Sequence, residues 1–303
     1  MKVKKLTVTI GIPAYNEEKN IKFLIESLLK QILQNVILEE IIVVSDGSTD
    51  RMVPILKSIR DSRLIVVDRK KRVGLNQTQN EIVRRTKGDI LVLLNADVLP
   101  KDKFFIQLLI VPLLIDKKIG IVGANTVSLP SRNILERVLA NSHELKQFMY
   151  SRIKGGNNVY MCHGRGRAFS KKLYKKITWP DNCPEDAYSY FFCVTNGFKF
   201  IFNKEASVLF RSPSNIKGHI AQSNRFIHGK KILKNYFGKE IIRKEYVIPK
   251  DIMLKTILFF TFKNPLSTPL YIAVNVFIRI FKNYEPHHHS KYEISASSKE
   301  VVA

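Results

Sequence analysis

Three short polar stretches stand where apolar runs end, and each carries residues able to bind or move charge. Tyr15, in PAYNEE, follows a strand end and a proline, where a ring can stack on a nucleobase or simply sit half-buried. Asp46, in SDGSTD, can accept from a base N–H or a ribose hydroxyl; the same D-G-S-T-D run is also good turn and helix-capping chemistry. Asn95-Ala96-Asp97 offers one carboxylate and one amide oxygen, the hard ligands that a divalent cation bridging two phosphates needs. Gly74 precedes a helical stretch, where backbone can come close to a phosphate. Read together, these residues suit a nucleoside diphosphate. Further along, Glu185-Asp186 follows Pro184. Adjacent carboxylates near a cleft suit a general base, and an acidic pair also suits a helix N-terminus. Gln222 and Arg225 lie in AQSNRF, inside a strongly basic stretch.

The elements that must position these residues are readable from hydrophobic period. Residues 6–12 place Leu6, Val8, Ile10 and Ile12 at period two, which predicts a strand. Over 17–33, apolar residues recur at spacings of three and four from Ile21 to Leu33, one face of an amphipathic helix. Strands are expected at 41–44, 64–67, 90–94 and near 119–122, and helices at 50–60, 76–86 and around 102–115. Alternating strands and helices, with some runs apolar on both faces, predict an α/β fold. Its mostly parallel central sheet is covered by helices on both sides. Ligands of such sheets bind outside the carboxyl ends of the strands, which is where the three polar stretches fall. From about 125 to 250 the pattern is irregular, with loops rich in Gly, Asn and Pro, and is read as the part that carries the second substrate.

The chain has 303 residues, 45% of them hydrophobic, which excludes a disordered chain. With 50 Lys+Arg against 26 Asp+Glu, its formal net charge is +24, so an anionic partner is expected: nucleic acid, phosphorylated small molecules or an acidic membrane surface. Residues 211–255 hold eleven Lys/Arg against three Asp/Glu. No nucleic-acid-binding module is recognisable, so nucleic acid is not expected. Cys162, Cys183 and Cys193 form no CxxC pair, which argues against a zinc site and for free thiols in a reducing compartment. MKVKK runs directly into a short strand with no signal-peptide pattern, so the bulk of the chain is expected in the cytoplasm.

IPAYNEE, VVSDGSTD, GLNQTQN, GDILVLLNADV, PEDAY and QSNRF occur in this order. The ordered set resembles a family 2 glycosyltransferase of the GT-A (Rossmann-like) fold, over roughly residues 6–230. The resemblance implies a nucleotide-sugar donor and an inverting reaction assisted by Mg2+ or Mn2+. It implies that Pro13, Tyr15, Glu17 and Asp46 line the nucleoside pocket, that Asp97 is the main metal ligand beside Asn95, and that Asp186 is the base. Gln222 and Arg225 would hold the donor diphosphate or the acceptor. Gly164 and Gly166 in CHGRGRAFSKK resemble the glycine-containing acceptor loop, so His163, Gly164, Arg165 and Glu185 would face the acceptor. Three positions depart from the family pattern: Ser45 before Asp46, Asn95 in the D-x-D, which loses a charge, and Phe226 in place of the final Trp of Q-x-x-R-W.

After residue 250 come two apolar segments, 252–262 and 270–281, separated by Pro265 and Pro269. Each is too short to cross the ~30 Å hydrocarbon core as a helix. In-plane interfacial helices beside the basic stretch are expected, with packing on the domain or an oligomer interface as the alternative. The expected organisation is thus a transferase domain over 1–230, whose 1–124 half holds the donor and 125–230 half the acceptor. A membrane-associating segment over 231–283 and a polar, solvated tail over 284–303 follow, the tail including His287–His289. The function implied by the resemblance is transfer of a sugar to a lipid-linked sugar or growing glycan at the cytoplasmic face of a membrane. A polyprenyl-phosphate glycosyl synthase is the nearest alternative. A degraded transferase serving as a membrane-bound binding subunit, suggested by Asn95, is an alternative of another class.

Overall fold

The computed structural model describes residues 5–212, 229–280 and 301. Its centre is β1 (Leu6–Ala14), paired in parallel with β2 (Val36–Ser45) on one side and β4 (Ile90–Leu94) on the other. β3 (Leu64–Asp68) extends β2 in parallel. The three polar stretches therefore leave one rim from neighbouring strands, as expected. Beyond β4 the sheet changes. β7 (Gly166–Ser170) lies antiparallel between β4 and β6 (Ile119–Ser128), and β8 (Lys199–Phe210) pairs in parallel with β6. The three-residue β5 (Val98–Pro100) caps the edge antiparallel to β8, a position where a strand proline is tolerated. The order is β3-β2-β1-β4-β7-β6-β8-β5.

Both faces are buried because the strands present apolar residues to each side. Val8, Ile10 and Ile12 pack with α1 (Ile21–Leu29), α2 (Met52–Ser58) and α4 (Phe105–Ile115). Ile42, Val44, Leu91 and Leu93 face the other layer, with α3 (Leu75–Arg85), α6 (Lys171–Tyr174) and α7 (Glu185–Thr195). α1 is shorter than the predicted 17–33. Residues 15–20 form a loop instead, with Asn16 left-handed (φ 53°), and Lys30 ends the helix. β2 starts earlier than residue 41, because buried Glu40 is tied to Thr9 Oγ1 (2.8 Å) and the Lys87 N–H (2.9 Å).

The region expected to be irregular contains the longest described helix, α5 (Ile134–Arg152). Asn133 Oδ1 accepts from the Glu136 N–H (2.8 Å) and the Glu136 carboxylate accepts from the Arg132 N–H (2.5 Å), a close relative of the capping box. After residue 228 come α8 (229–237), α9 (Lys239–Glu245), α10 (Lys250–Lys263) and α11 (Ser267–Ile280). α10 and α11 pack on α5: Phe148 stacks on Phe259 with ring centroids 5.0 Å apart, and Asn141 bonds Thr268 Oγ1 (3.1 Å). Among the described residues no helix is long and apolar enough to cross a membrane. Within the tail Val301 is buried and donates to Asn20 Oδ1 (3.0 Å), so at that point the chain is not solvated as expected.

Candidate active site

The rim expected to hold the donor is built from loops that lock one another. Asn16 Oδ1 accepts from the Thr49 N–H (2.8 Å), and the Asn16 N–H donates to Ser48 Oγ (3.1 Å). Asp50 Oδ2 accepts from the Glu18 N–H (2.9 Å), and Glu18 Oε2 accepts from the Arg51 N–H (3.0 Å). Buried Glu17 accepts from Asn20 Nδ2 (2.9 Å) at the start of α1, while Pro13 is buried in the β1 ladder opposite Val44. The two Asp46 oxygens accept from the Val73 (2.8 Å) and Gly74 (2.9 Å) N–H groups, with Arg69 at 3.6 Å. Gly74 has φ 103°, a conformation suited to glycine, and caps α3. Its N–H meets the Asp46 carboxylate, so at this helix start an internal carboxylate takes the place expected for a phosphate. Tyr15 is half-buried, and the Arg72 guanidinium lies 4.1 Å from its ring centroid.

GLNQTQN has a role that reading along the chain did not reveal. Asn76 Nδ2 donates to the Pro180 (2.5 Å) and Cys183 (2.8 Å) carbonyls. Asn80 exchanges two bonds with the Trp179 backbone, each 2.9 Å. The amide face of α3 therefore holds the WPDNCP loop that delivers Glu185 and Asp186, which occupy the first turn of α7, where acidic residues suit the helix dipole.

Across the sheet, the loop before β7 meets the rim formed by the ends of β1, β2 and β4. A Cβ placed on Gly164 would lie 2.5 Å from Glu185 Oε1 and 3.6 Å from Asn95 Oδ1, so the two side chains flank one backbone position. Arg165 stacks its guanidinium 3.8 Å from the Phe210 ring centroid and feels both Asp97 and Asp186. Burial draws its pKa below the usual range, and the two carboxylates oppose that shift. Asp186 Oδ1 accepts from the Ala187 N–H (2.6 Å). His163, whose ring nitrogens are sealed from solvent and have no hydrogen-bond partner among the described residues, is pushed down to about 3 by burial and then by Arg165, so it is neutral at physiological pH.

Arg167 was not singled out from the sequence. It is 0% exposed, on β7, beneath the first turn of α7. Its Nη1 donates to the Glu185 carbonyl (3.2 Å) and to Ser189 Oγ (2.8 Å), and its Nη2 lies 3.9 Å from the Glu185 carboxylate. Trp179 Nε1 donates to the same carbonyl (3.0 Å) and the same hydroxyl (2.9 Å). The signal available in the sequence was an arginine inside an apolar strand, GRAF, since a buried charge requires a partner.

Among the described residues no three His, Cys, Asp or Glu side chains cluster to hold a metal ion. Asp97 and Asn95, both half-buried at the end of β4, match a different kind of site, in which a hard cation takes one protein carboxylate and completes its shell with phosphate oxygens and water. The donor set fits Mg2+ or Mn2+ on those terms. The three cysteines are free and buried, with thiol pKa values raised by burial, those of Cys183 and Cys193 to about 12, as expected for unreactive thiols. Gln222 and Arg225, with Phe226, lie outside the described residues. The structure thus brings Asn95, Asp97, Gly164, Arg165, Glu185 and Asp186 together, with Tyr15, Glu17, Asp46 and Gly74 on the adjoining loops.

Comparison with known proteins bears on the fold and the family. Glycosyltransferase GlyG of Streptococcus pneumoniae is 31% identical over 97 residues, 31% of this chain and 31% of that protein. The Escherichia coli UDP-Glc:alpha-D-GlcNAc-diphosphoundecaprenol beta-1,3-glucosyltransferase WfaP is 34% identical over 90 residues, 30% of this chain and 35% of that one. The matched stretch thus spans about a third of the length of these curated relatives. The mannosyltransferase PcManGT of Pyrobaculum calidifontis, solved with GDP-Man and Mn2+, superposes with a TM-score of 0.57 at 21% identity, covering 92% of this chain and 76% of its own. Glucosyl-3-phosphoglycerate synthase of Mycobacterium tuberculosis, solved with Mn2+ and UDP, gives 0.53 at 19%, covering 77% and 80%. These likenesses show a shared α/β GT-A fold. The family model for Glycosyl transferase family 2 matches residues 9–178, from β1 to the loop before α7, and over that majority of its length the chain belongs to glycosyl transferase family 2.

Proposed function

We propose that the protein transfers a hexose from a nucleoside-diphosphate sugar to a lipid-linked sugar or growing glycan, at the cytoplasmic face of a membrane and with inversion at the anomeric carbon. The observation that carries this reading is the convergence at Gly164 and Arg165: Asn95 and Asp97 come from the donor rim, Glu185 and Asp186 from α7. Tyr15 and the loops braced by Glu17 and Asp46 would hold the nucleoside. Asp97 and Asn95 would hold Mg2+ or Mn2+, which when bound neutralises charge on a departing diphosphate. Asp186 takes the proton of the acceptor hydroxyl, whose oxygen forms the new bond to the anomeric carbon as the bond to the diphosphate breaks. Arg165 adds a fixed positive charge beside this exchange, in a site where burial strengthens it.

The lipid-linked acceptor is supported by WfaP, whose name states a diphosphoundecaprenol acceptor. A second reading, a polyprenyl-phosphate glycosyl synthase, is favoured by a 30% match over 94 residues to the undecaprenyl-phosphate 4-deoxy-4-formamido-L-arabinose transferase of Proteus mirabilis. A phosphate acceptor is already ionised and needs little help from a base.

The test is to offer purified protein UDP-, GDP- and dTDP-sugars with membrane lipid extract and Mg2+ or Mn2+, then to determine the labelled product and its anomeric configuration. A lipid-borne product with inverted configuration is expected. A retained configuration would overturn the mechanism, and donor binding without transfer from any donor would favour a binding subunit.

A further inference from the structure

α10 and α11 have two sides of different character. Thr256, Phe260, Thr268 and Tyr271 are buried, and Phe260 and Tyr271 meet α5 through Phe148 and Lys146. The other side exposes Leu254, Leu258, Phe262, Leu266, Leu270 and Val276, with Phe262 at 84% and Leu266 at 85%. Leu254, Leu258 and Phe262 recur every four residues, and Leu266 sits at the turn, so they form one ridge. Exposed apolar side chains grouped in this way mark a contact surface.

Charge and length select the occupant. Lys250 and Lys255 stand exposed on α10 with Asp251 as its one acidic residue, in a chain of net charge +24. A second copy would bring like charge to the same face, whereas an anionic bilayer brings the complement. Over the described residues each helix has 14, about 21 Å at ~1.5 Å per residue, which is short of the ~30 Å hydrocarbon core but suited to lying along its surface.

The attachment also has a direction. α5 joins this pair of helices to the acceptor side: His143 bonds Thr126 Oγ1 of β6 (2.8 Å) and lies 4.7 Å from the Phe210 ring, on which Arg165 stacks. We infer that the outer face of α10 and α11 docks in the plane of an anionic bilayer surface and so turns the acceptor side of the site toward the lipid. The docking stands by itself; the direction of the acceptor rests on the proposed transferase reading.

The test uses the full chain with vesicles of phosphatidylcholine alone and with about a third phosphatidylglycerol, read by co-sedimentation. Binding is expected on the anionic vesicles and should be about tenfold weaker on the neutral ones. The exposed-site triple variant Leu258→Asp, Phe262→Asp, Leu266→Asp should lose about tenfold in partition while keeping nucleotide-sugar affinity by calorimetry. Phe262→Trp gives a second readout, because the natural Trp179 is fully buried: its emission should shift to the blue with anionic vesicles. Unchanged partition of the triple variant, or an unshifted Trp emission, would overturn the inference. A wild-type dimer that the triple variant splits would make a second copy the occupant. Transferase assays do not enter these readouts, so failure of the proposed reaction would leave a positive vesicle result standing.

Discussion

The donor rim and the acceptor side meet at one site but are held in opposite ways. On the donor rim Glu18, Asp46 and Asp50 accept backbone N–H groups from neighbouring loops, so the loops are fixed before any ligand arrives. On the acceptor side Arg167 is fully buried and donates to the Glu185 carbonyl and Ser189 Oγ, and the buried His163 ring nitrogens have no hydrogen-bond partner among the described residues. The difference teaches that the first half is a preformed cradle, and that the second is held by a few buried groups brought from far along the chain.

The largest expected contrast is in stability. Arg167→Lys retains the charge but cannot reach the Glu185 carbonyl, Ser189 and the Glu185 carboxylate together, and should lower the unfolding free energy by about 3 kcal/mol. On the donor half, Glu81 is held at about 2 by the exposed Arg84 and Arg85, and Glu81→Gln should remove less than about 1 kcal/mol. Denaturant titration checks both; equal losses would break the contrast.

Glycines give a contrast of middle size. At Gly164 a new methyl would press on the flexible end of Glu185, so Gly164→Ala should leave the melting temperature nearly unchanged and lower kcat/KM for acceptor about tenfold. At Gly74, with φ 103°, alanine strains the backbone and should cost about 1–2 kcal/mol of stability. Melting curves with steady-state kinetics separate the two, and an activity loss at Gly164 matched by an equal fall in stability would contradict the positioning argument.

The last contrast concerns pH and appears only as the solution is acidified. His163 has a folded pKa of about 3, below the ~6.5 of an unfolded histidine. The unfolded chain therefore binds the extra proton first, and stability from this group is lost as pH falls from about 6.5 toward 3. Relative to His163→Asn, the wild type should lose about 1–2 kcal/mol between about pH 7 and pH 5. Parallel stability curves for the two proteins would show that the ring is not held neutral.

The same contrast explains what was legible in the sequence. Ile90–Leu94 matched its predicted strand because five apolar residues between polar neighbours can be little else in an alternating α/β pattern. The donor rim was legible because strand ends and turn residues are local. α5 was missed although Asn133 and Glu136 mark its start and Val138, Ser142, Leu145 and Met149 keep helical spacing; the surrounding Gly- and Pro-rich loops obscured it. The hold of Asn76 and Asn80 on residues 179–183, and of Arg167 on Glu185, joins segments distant in sequence, and no periodic pattern encodes such pairings.

The measurement that bears most directly on the meeting of the two sides is turnover of Asp186→Asn with a hydroxyl acceptor, alongside donor affinity by calorimetry in the presence of Mn2+. Loss of the base should lower kcat by about 10²–10⁴-fold while donor affinity stays within about twofold, because the donor is held by the opposite rim. A variant that turns over within about threefold of wild type would contradict the role of Asp186.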